Sequence, residues 1–293
     1  MRRFLDQPVG RTAVIATSGA TVLLWALVFV WMSGFTTQEG AMPAAVVTAL
    51  PQEEPATTAP AAPPVVTPAP LFQYIEVLDG CGPYYEGTCI NMRSGPGEEF
   101  PVVARLRTGI VLKVAATVLY KGRTWYEIAQ DGGIKYPERI TSDWYVAAEV
   151  VHEFLDDGDH LLQPGGASTT KRVVVDHSEQ MLSAYDGDTL FMQTPISTGL
   201  EFTPTPRGTF TVFRMTPSRY MQGPIPEVSD QYYDLPGVPW NLYFTHEGAV
   251  IHGAYWHDHF GEPWSHGCVN LPLDKAKQLY LWADIGTKVI VQD

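Results

Sequence analysis

The chain has 293 residues, with 19 Lys and Arg against 32 Asp and Glu, for a net charge of −13. The length suits two modest domains plus extra segments. The charge does not favour nucleic acid as a partner, because phosphate binding needs clustered Lys and Arg, and no basic run occurs beyond the N-terminal tail.

Residues 1–11 carry Arg2, Arg3 and Arg11, and no charged residue follows until after Gln38. The run Val22 to Met32 is strongly apolar. About 20 such residues span a bilayer core, so residues 12–35 are expected to be a transmembrane signal anchor. A cleavable export signal is the competing reading, but its apolar region usually runs only about 7 to 15 residues. The arginines hold residues 1–11 in the cytoplasm by the positive-inside rule, which puts the rest of this single-pass chain outside the cell membrane. Residues 36–70, rich in Pro, Ala and Thr, are expected to be a disordered linker of on the order of 100 Å when extended.

Residues 71–153 change character. Short alternating runs such as Phe72 to Val77, Val111 to Ala115 and Thr124 to Ile128 are separated by Gly and Pro, which predicts a small β-barrel or sandwich. Cys81 and Cys89 lie close together, and in an oxidising exterior they are candidates for a disulfide. Residues 154–170 are polar and Gly-rich and read as a second linker. From residue 171 to 293 the pattern is again β. Asp186-Gly187 predicts a hairpin turn, and Leu273 to Asp284 is expected to be a helix with Ala276, Leu279, Tyr280 and Ala283 on one face. The expected fold class is therefore mainly β, with one short helix late in the chain.

The chemistry concentrates between His252 and Asn270. Cys268 stands alone, among His252, His257, His259 and His266. A thiolate is a strong nucleophile, and an imidazole is the side chain suited to generate it. Gly267 lets backbone approach a substrate carbonyl, and the amides around Gly267 and Cys268 suit an oxyanion. The same histidines, with Asp258 and Cys268, also offer zinc-type ligands, and His257 and His259 would project to one side of a strand. No pair has the i, i+4 spacing of a helical zinc motif, so no metal is expected. No cofactor is expected either.

Two family resemblances add to this. Ile90-Asn-Met-Arg-Ser-Gly-Pro-Gly97, followed by Val102, Gly109 and Trp125 to Ile128, resembles the bacterial SH3-like family, which implies an SH3-like module capable of wall binding. His252-Gly253, then Ser265-His-Gly-Cys-Val-Asn270, is similar to the L,D-transpeptidase family. Val175 to Gln180, Ser197-Thr-Gly199, Thr203 to Phe210 and Gly286 to Ile290 support that match. The resemblance implies that Cys268 is the acyl-accepting nucleophile and His252 its base, with the Gly253 carbonyl orienting the imidazole. It places His266 and Gly267 at the oxyanion pocket, with Ser265 and Asn270 stabilising the loop.

By the same resemblance, the substrate is a peptidoglycan tetrapeptide stem. D-Ala leaves, and the acyl group passes to an amine in a 3→3 cross-link or to water. An L,D-carboxypeptidase, a zinc-dependent wall hydrolase and a non-catalytic wall-binding protein are the alternatives. Met215 to Trp240, with five prolines, aligns with nothing and is expected to be a lid or substrate-shaping loop.

Overall fold

The computed structural model describes residues 63–69, 72–156 and 170–293. The expected tail 1–11 and span 12–35 lie outside them, as do most of both linkers. Among the described residues no helix is long and apolar enough to cross a membrane.

The first eight strands are β1 (Val65–Pro68), β2 (Gln73–Glu76), β3 (Ile90–Arg93), β4 (Val102–Leu106), β5 (Val111–Tyr120), β6 (Arg123–Ile128), β7 (Tyr145–Ala147) and β8 (His152–Leu155). They form one antiparallel sheet in the order β4-β3-β7-β6-β5-β2-β8, with β1 on β5. The alternating runs read from the sequence form β2, β5 and β6. Their inward residues, including Ile75, Val114, Tyr126 and Ile128, share a core with Met92 and Leu106. Arg93 pins the Gly-Pro loop, donating to the carbonyls of Glu98 at 3.0 Å and Phe100 at 2.9 Å. Cys81 and Cys89 are joined in a disulfide.

Both linker boundaries need correction. The spacer expected to run unstructured to residue 70 contains β1, whose Val65 and Val66 pair with Leu119 and Val118. Two β-branched residues favour a strand, and Pro68 is tolerated because β1 is exposed at the sheet's margin. At the other end β8 continues through Leu155, which pairs with Gln73. The Phe154 ring stacks on Tyr74 and leans on Trp240, an apolar anchor that keeps this stretch in the sheet.

The later strands are β9 (Lys171–Asp176), β10 (Met181–Asp186), β11 (Thr189–Pro195), β12 (Gly208–Thr211), β13 (Arg214–Ile225), β14 (Ser229–Tyr243), β15 (Val250–Gly253), β16 (Val269–Leu271) and β17 (Lys288–Gln292). They make two sheets, β11-β10-β9-β17-β12 and β13-β14-β15-β16. The Asp186-Gly187 signal marks the turn of the β10–β11 hairpin. Helix α1 (Leu273–Trp282) follows β16 and buries Ala276, Leu279 and Tyr280 against β14 and β15. Val173, Leu182, Leu242, Ile251, Val269 and Val289 meet in the core that both sheets share.

Met215 to Trp240 is not a loop. It is nearly all of the β13–β14 hairpin, with register shifts between Arg219 and Met221 and between Gly223 and Ile225. Its prolines obscure the strand pattern, and the bulges accommodate residues without an amide donor. The hairpin packs on the first sheet. The Tyr136 amide donates to Gln222 Oε1 at 2.8 Å, Arg139 donates to the Gly223 carbonyl at 2.8 Å, and Tyr220 leans on Trp144. Gly237, at φ 68°, crosses so close that an added Cβ would sit 2.6 Å from the Val111 carbonyl oxygen. Residues 58–293 thus form one compact unit.

Candidate active site

β15 and β16 run parallel, with Ile251 opposite Val269 and His252 opposite Asn270. Cys268 immediately precedes β16, on the loop that enters it, and its sulfur faces the Gly248 carbonyl just before β15. His252 and Cys268 line one cleft of about 1280 Å³, together with Ser265, His266, Gly267 and Asn270. That exceeds the roughly 300–1,000 Å³ of a small-molecule pocket and leaves room for a peptide.

His252 is fully buried. Its Nδ1 lies 3.1 Å from the Gly253 carbonyl oxygen. A carbonyl can only accept, so the proton sits on Nδ1 and Nε2 is a bare acceptor. That Nε2 is sealed from solvent and has no hydrogen-bond partner. Burial pulls the His252 pKa down to about 3, the Arg219 guanidinium and His257 push the same way, and the Gly253 carbonyl opposes them. Cys268 is a free, half-buried thiol 3.9 Å from the Gly248 carbonyl oxygen. Burial pushes this thiol up, while Arg219 and the Val250 amide pull it down. Both shifts favour the neutral forms, a thiol and an imidazole. That arrangement suits proton transfer during attack, rather than a resting ion pair.

The loop that presents Cys268 is held from behind. Ser265 Oγ donates to the Cys268 carbonyl at 2.5 Å and accepts the Gly267 amide at 3.1 Å. Gly267 adopts φ 114°, a left-handed conformation that a side chain would resist. Ser197 exchanges two backbone hydrogen bonds with Asn270, at 3.0 and 2.9 Å. Gln180 in turn brackets Thr198, accepting its amide at 2.9 Å and donating to its hydroxyl at 2.7 Å. The motif pieces spread along the sequence therefore converge on the loop around Cys268.

Residues 170–291 match the family model described as the YkuD L,D-transpeptidase catalytic domain. These residues belong to the L,D-transpeptidase family. Among solved structures, an Enterococcus faecium L,D-transpeptidase is 27% identical, covering 42% of this chain and 49% of that one, with a TM-score of 0.38. The chain thus spans about half the length of that relative. An L,D-transpeptidase from Mycobacterium smegmatis is 23% identical over 62% of this chain and 93% of its own, with a TM-score of 0.40. One from Mycobacterium tuberculosis is 19% identical with the same coverages and a TM-score of 0.38. A comparison with curated proteins finds no match.

Within this L,D-transpeptidase domain the remaining histidines disperse. His257 is buried, with Nε2 2.8 Å from the Asn270 carboxamide and Nδ1 accepting the His259 amide at 3.2 Å. His259 stacks on Trp264 and meets Glu262 at 2.7 Å. His266 lies at the cleft against the Tyr233 ring, with its pKa lowered by burial. Among the described residues no three His, Cys, Asp or Glu side chains are grouped to hold a metal ion.

The structure adds residues that the sequence reading missed. Arg219, Tyr233 and Trp256 line the cleft, as do Phe72, Lys113 and residues 130–135 of the first sheet's module. Arg219 had one signal, as the sole basic residue between Met215 and Trp240. Without the hairpin register, nothing tied it to Cys268.

Proposed function

We propose that the protein is a membrane-anchored cell-wall L,D-transpeptidase with its catalytic domain outside the cytoplasm. The observation that carries this reading is the unpartnered Nε2 of His252 in the same cleft as the free thiol of Cys268, a cleft large enough for a peptide. The substrate is a peptidoglycan tetrapeptide stem, as the family implies. The Cys268 proton passes to His252 Nε2 while sulfur bonds to the carbonyl carbon of the L-centred residue, probed as meso-diaminopimelate. The oxyanion falls to the Cys268 amide, since the Gly267 amide is held by Ser265. Collapse breaks the C–N bond to D-Ala, whose nitrogen takes the proton from His252. An amine of a second stem then attacks the thioester and returns a proton through His252, which releases the thiol and completes a 3→3 link.

The arginine-flanked apolar run 12–35 supports the anchor, and the Asn-Met-Arg-Ser-Gly-Pro string supports an SH3-like module that binds the wall. The test is to incubate the purified chain with disaccharide-tetrapeptide and follow the products by mass spectrometry. Cross-linked dimer with free D-Ala is expected. Tripeptide alone selects water as the acceptor. Unchanged substrate, or D-Ala release retained by Cys268→Ala or His252→Ala, overturns the assignment.

A further inference from the structure

Arg219 lines the cleft that holds Cys268 and His252, and among the described residues it forms no ion pair. Its Nη1 is buried, has no hydrogen-bond partner, and belongs to a side chain that lines the cleft. The guanidinium stands 5.4 Å from the Tyr243 ring, a contact that engages its face and gives Nη1 no acceptor. The nearby cations differ. Lys135 lies 3.8 Å from Glu227, Arg214 is exposed 4.9 Å from the Tyr243 ring, and Lys113 reaches to 5.8 Å from the Phe72 ring. Asp131 carries an influence from Arg219, but its carboxylate accepts the Tyr220 amide instead of forming an ion pair. Arg219 also acts electrostatically on Cys268, His252 and Tyr233, all of which line the same cleft. A buried N–H without an acceptor is costly, and such groups in native proteins call for an explanation. The planar fork of an arginine is matched by a carboxylate, which takes two parallel N–H donors.

We propose that Arg219 is the carboxylate-binding residue of the acyl-donor subsite, clamping a free carboxylate of the peptide whose carbonyl faces Cys268. This rests on the peptide-acyl reading of the site. The donor stem offers two such groups: the C-terminal carboxylate of the departing D-Ala, and the side-chain carboxylate of diaminopimelate. Both have the same recognition chemistry. Arg219 orients the donor by holding that carboxylate while the carbonyl faces the thiol.

Two measurements test this on the full chain. The first compares alkylation of Cys268 by iodoacetate and by iodoacetamide at one pH, followed by intact mass. The ratio of the two rates cancels any change in thiol reactivity common to both reagents. Arg219→Gln is expected to lower the ratio by about 10- to 100-fold, and Arg219→Lys to recover part of it by charge without the fork. The second measures D-Ala release from three donors: the natural tetrapeptide, its C-terminal amide, and the form amidated on the diaminopimelate side chain. Arg219→Gln is expected to reduce kcat/KM on the natural donor by a similar factor. On the donor that lacks the clamped carboxylate, the wild type and the variant become equal, and that donor names the group. An unchanged alkylation ratio, or a loss of equal size on all three donors, overturns the proposal. If no donor is turned over by the wild type, it is the transpeptidase reading that fails, and the alkylation ratio alone judges whether Arg219 binds carboxylates.

Discussion

At the scale of single residues, the site is defined by what its groups are not doing at rest. His252 has no partner at Nε2, and burial holds it neutral, with a pKa near about 3. His257 is likewise pulled down to about 4, by burial first and by His259 second. Both bind protons less readily in the fold than in the unfolded chain. Between the ordinary histidine pKa of about 6.5 and these lowered values, the unfolded state therefore carries more protons. Stability should be fully present above about pH 6.5 and should decline as pH falls toward about 4. Urea midpoints measured across that range should show the decline, and His257→Gln should flatten part of it. A midpoint that rises on acidification from pH 6.5 to 5 would show that the sign is wrong. The thiol supplies a second check. Because burial raises Cys268, its iodoacetamide rate should keep climbing past about pH 8.5, the ordinary thiol value, with no plateau near neutrality. A plateau below pH 7 would mean a preformed thiolate–imidazolium pair.

At the scale of elements, the β13–β14 hairpin decides where the cleft closes, and its contact with the first sheet turns on Gly237. Replacing Gly237 by Ala demands a side chain at φ 68° and drives a Cβ to 2.6 Å from the Val111 carbonyl oxygen. A loss of about 2–4 kcal/mol is expected in denaturant unfolding, since neither strand can retreat without parting the ladder. Stability within about 0.5 kcal/mol of the parent would show that this crossing is loose. The same hairpin shows where sequence reading stops. His252-Gly253 and Ser265 to Asn270 were legible because local strings carry their chemistry, and the β10–β11 turn because Asp186-Gly187 suits one geometry. Helix α1 was legible from Ala276, Leu279 and Tyr280, although it ends at Trp282 rather than Asp284. The hairpin was not legible, because its prolines and bulges erase the two-residue period on which strand recognition depends. Arg219 was lost with it, since only the folded hairpin brings that position to the cleft that holds the sulfur. The strand at Val65–Pro68 was hidden by the composition around it: one Val-Val-Thr stretch cannot be told from spacer until its partner, β5, is known.

At the scale of the whole molecule, the two β modules behave as parts of one core. Tyr74 and Val111 of the first sheet are buried in the L,D-transpeptidase domain's cluster, and Val238 and Tyr255 of that domain are buried in the first sheet's cluster. Polar contacts follow the same seam: Lys277 meets Glu76 at 2.6 Å and the Tyr84 hydroxyl donates to Asp258 at 2.7 Å. The Arg107 guanidinium lies between the Tyr85 and Tyr255 rings, at 4.5 and 4.8 Å. Tyr255 is the most consequential of these groups, because its ring fills the first module's core while its hydroxyl donates to the Pro236 carbonyl at 2.7 Å, at the foot of the hairpin. Tyr255→Ala removes both and should cost about 3–5 kcal/mol, as for other buried aromatic truncations. If the seam joins one cooperative unit, that loss cannot stay local. Native-state hydrogen exchange should show protection falling by the same amount at Val118 of β5 and at Val175 of β9, on opposite sides of the seam. A fall confined to one side would mean that the modules unfold separately, and the first sheet would then be a neighbour of the cleft rather than part of its wall.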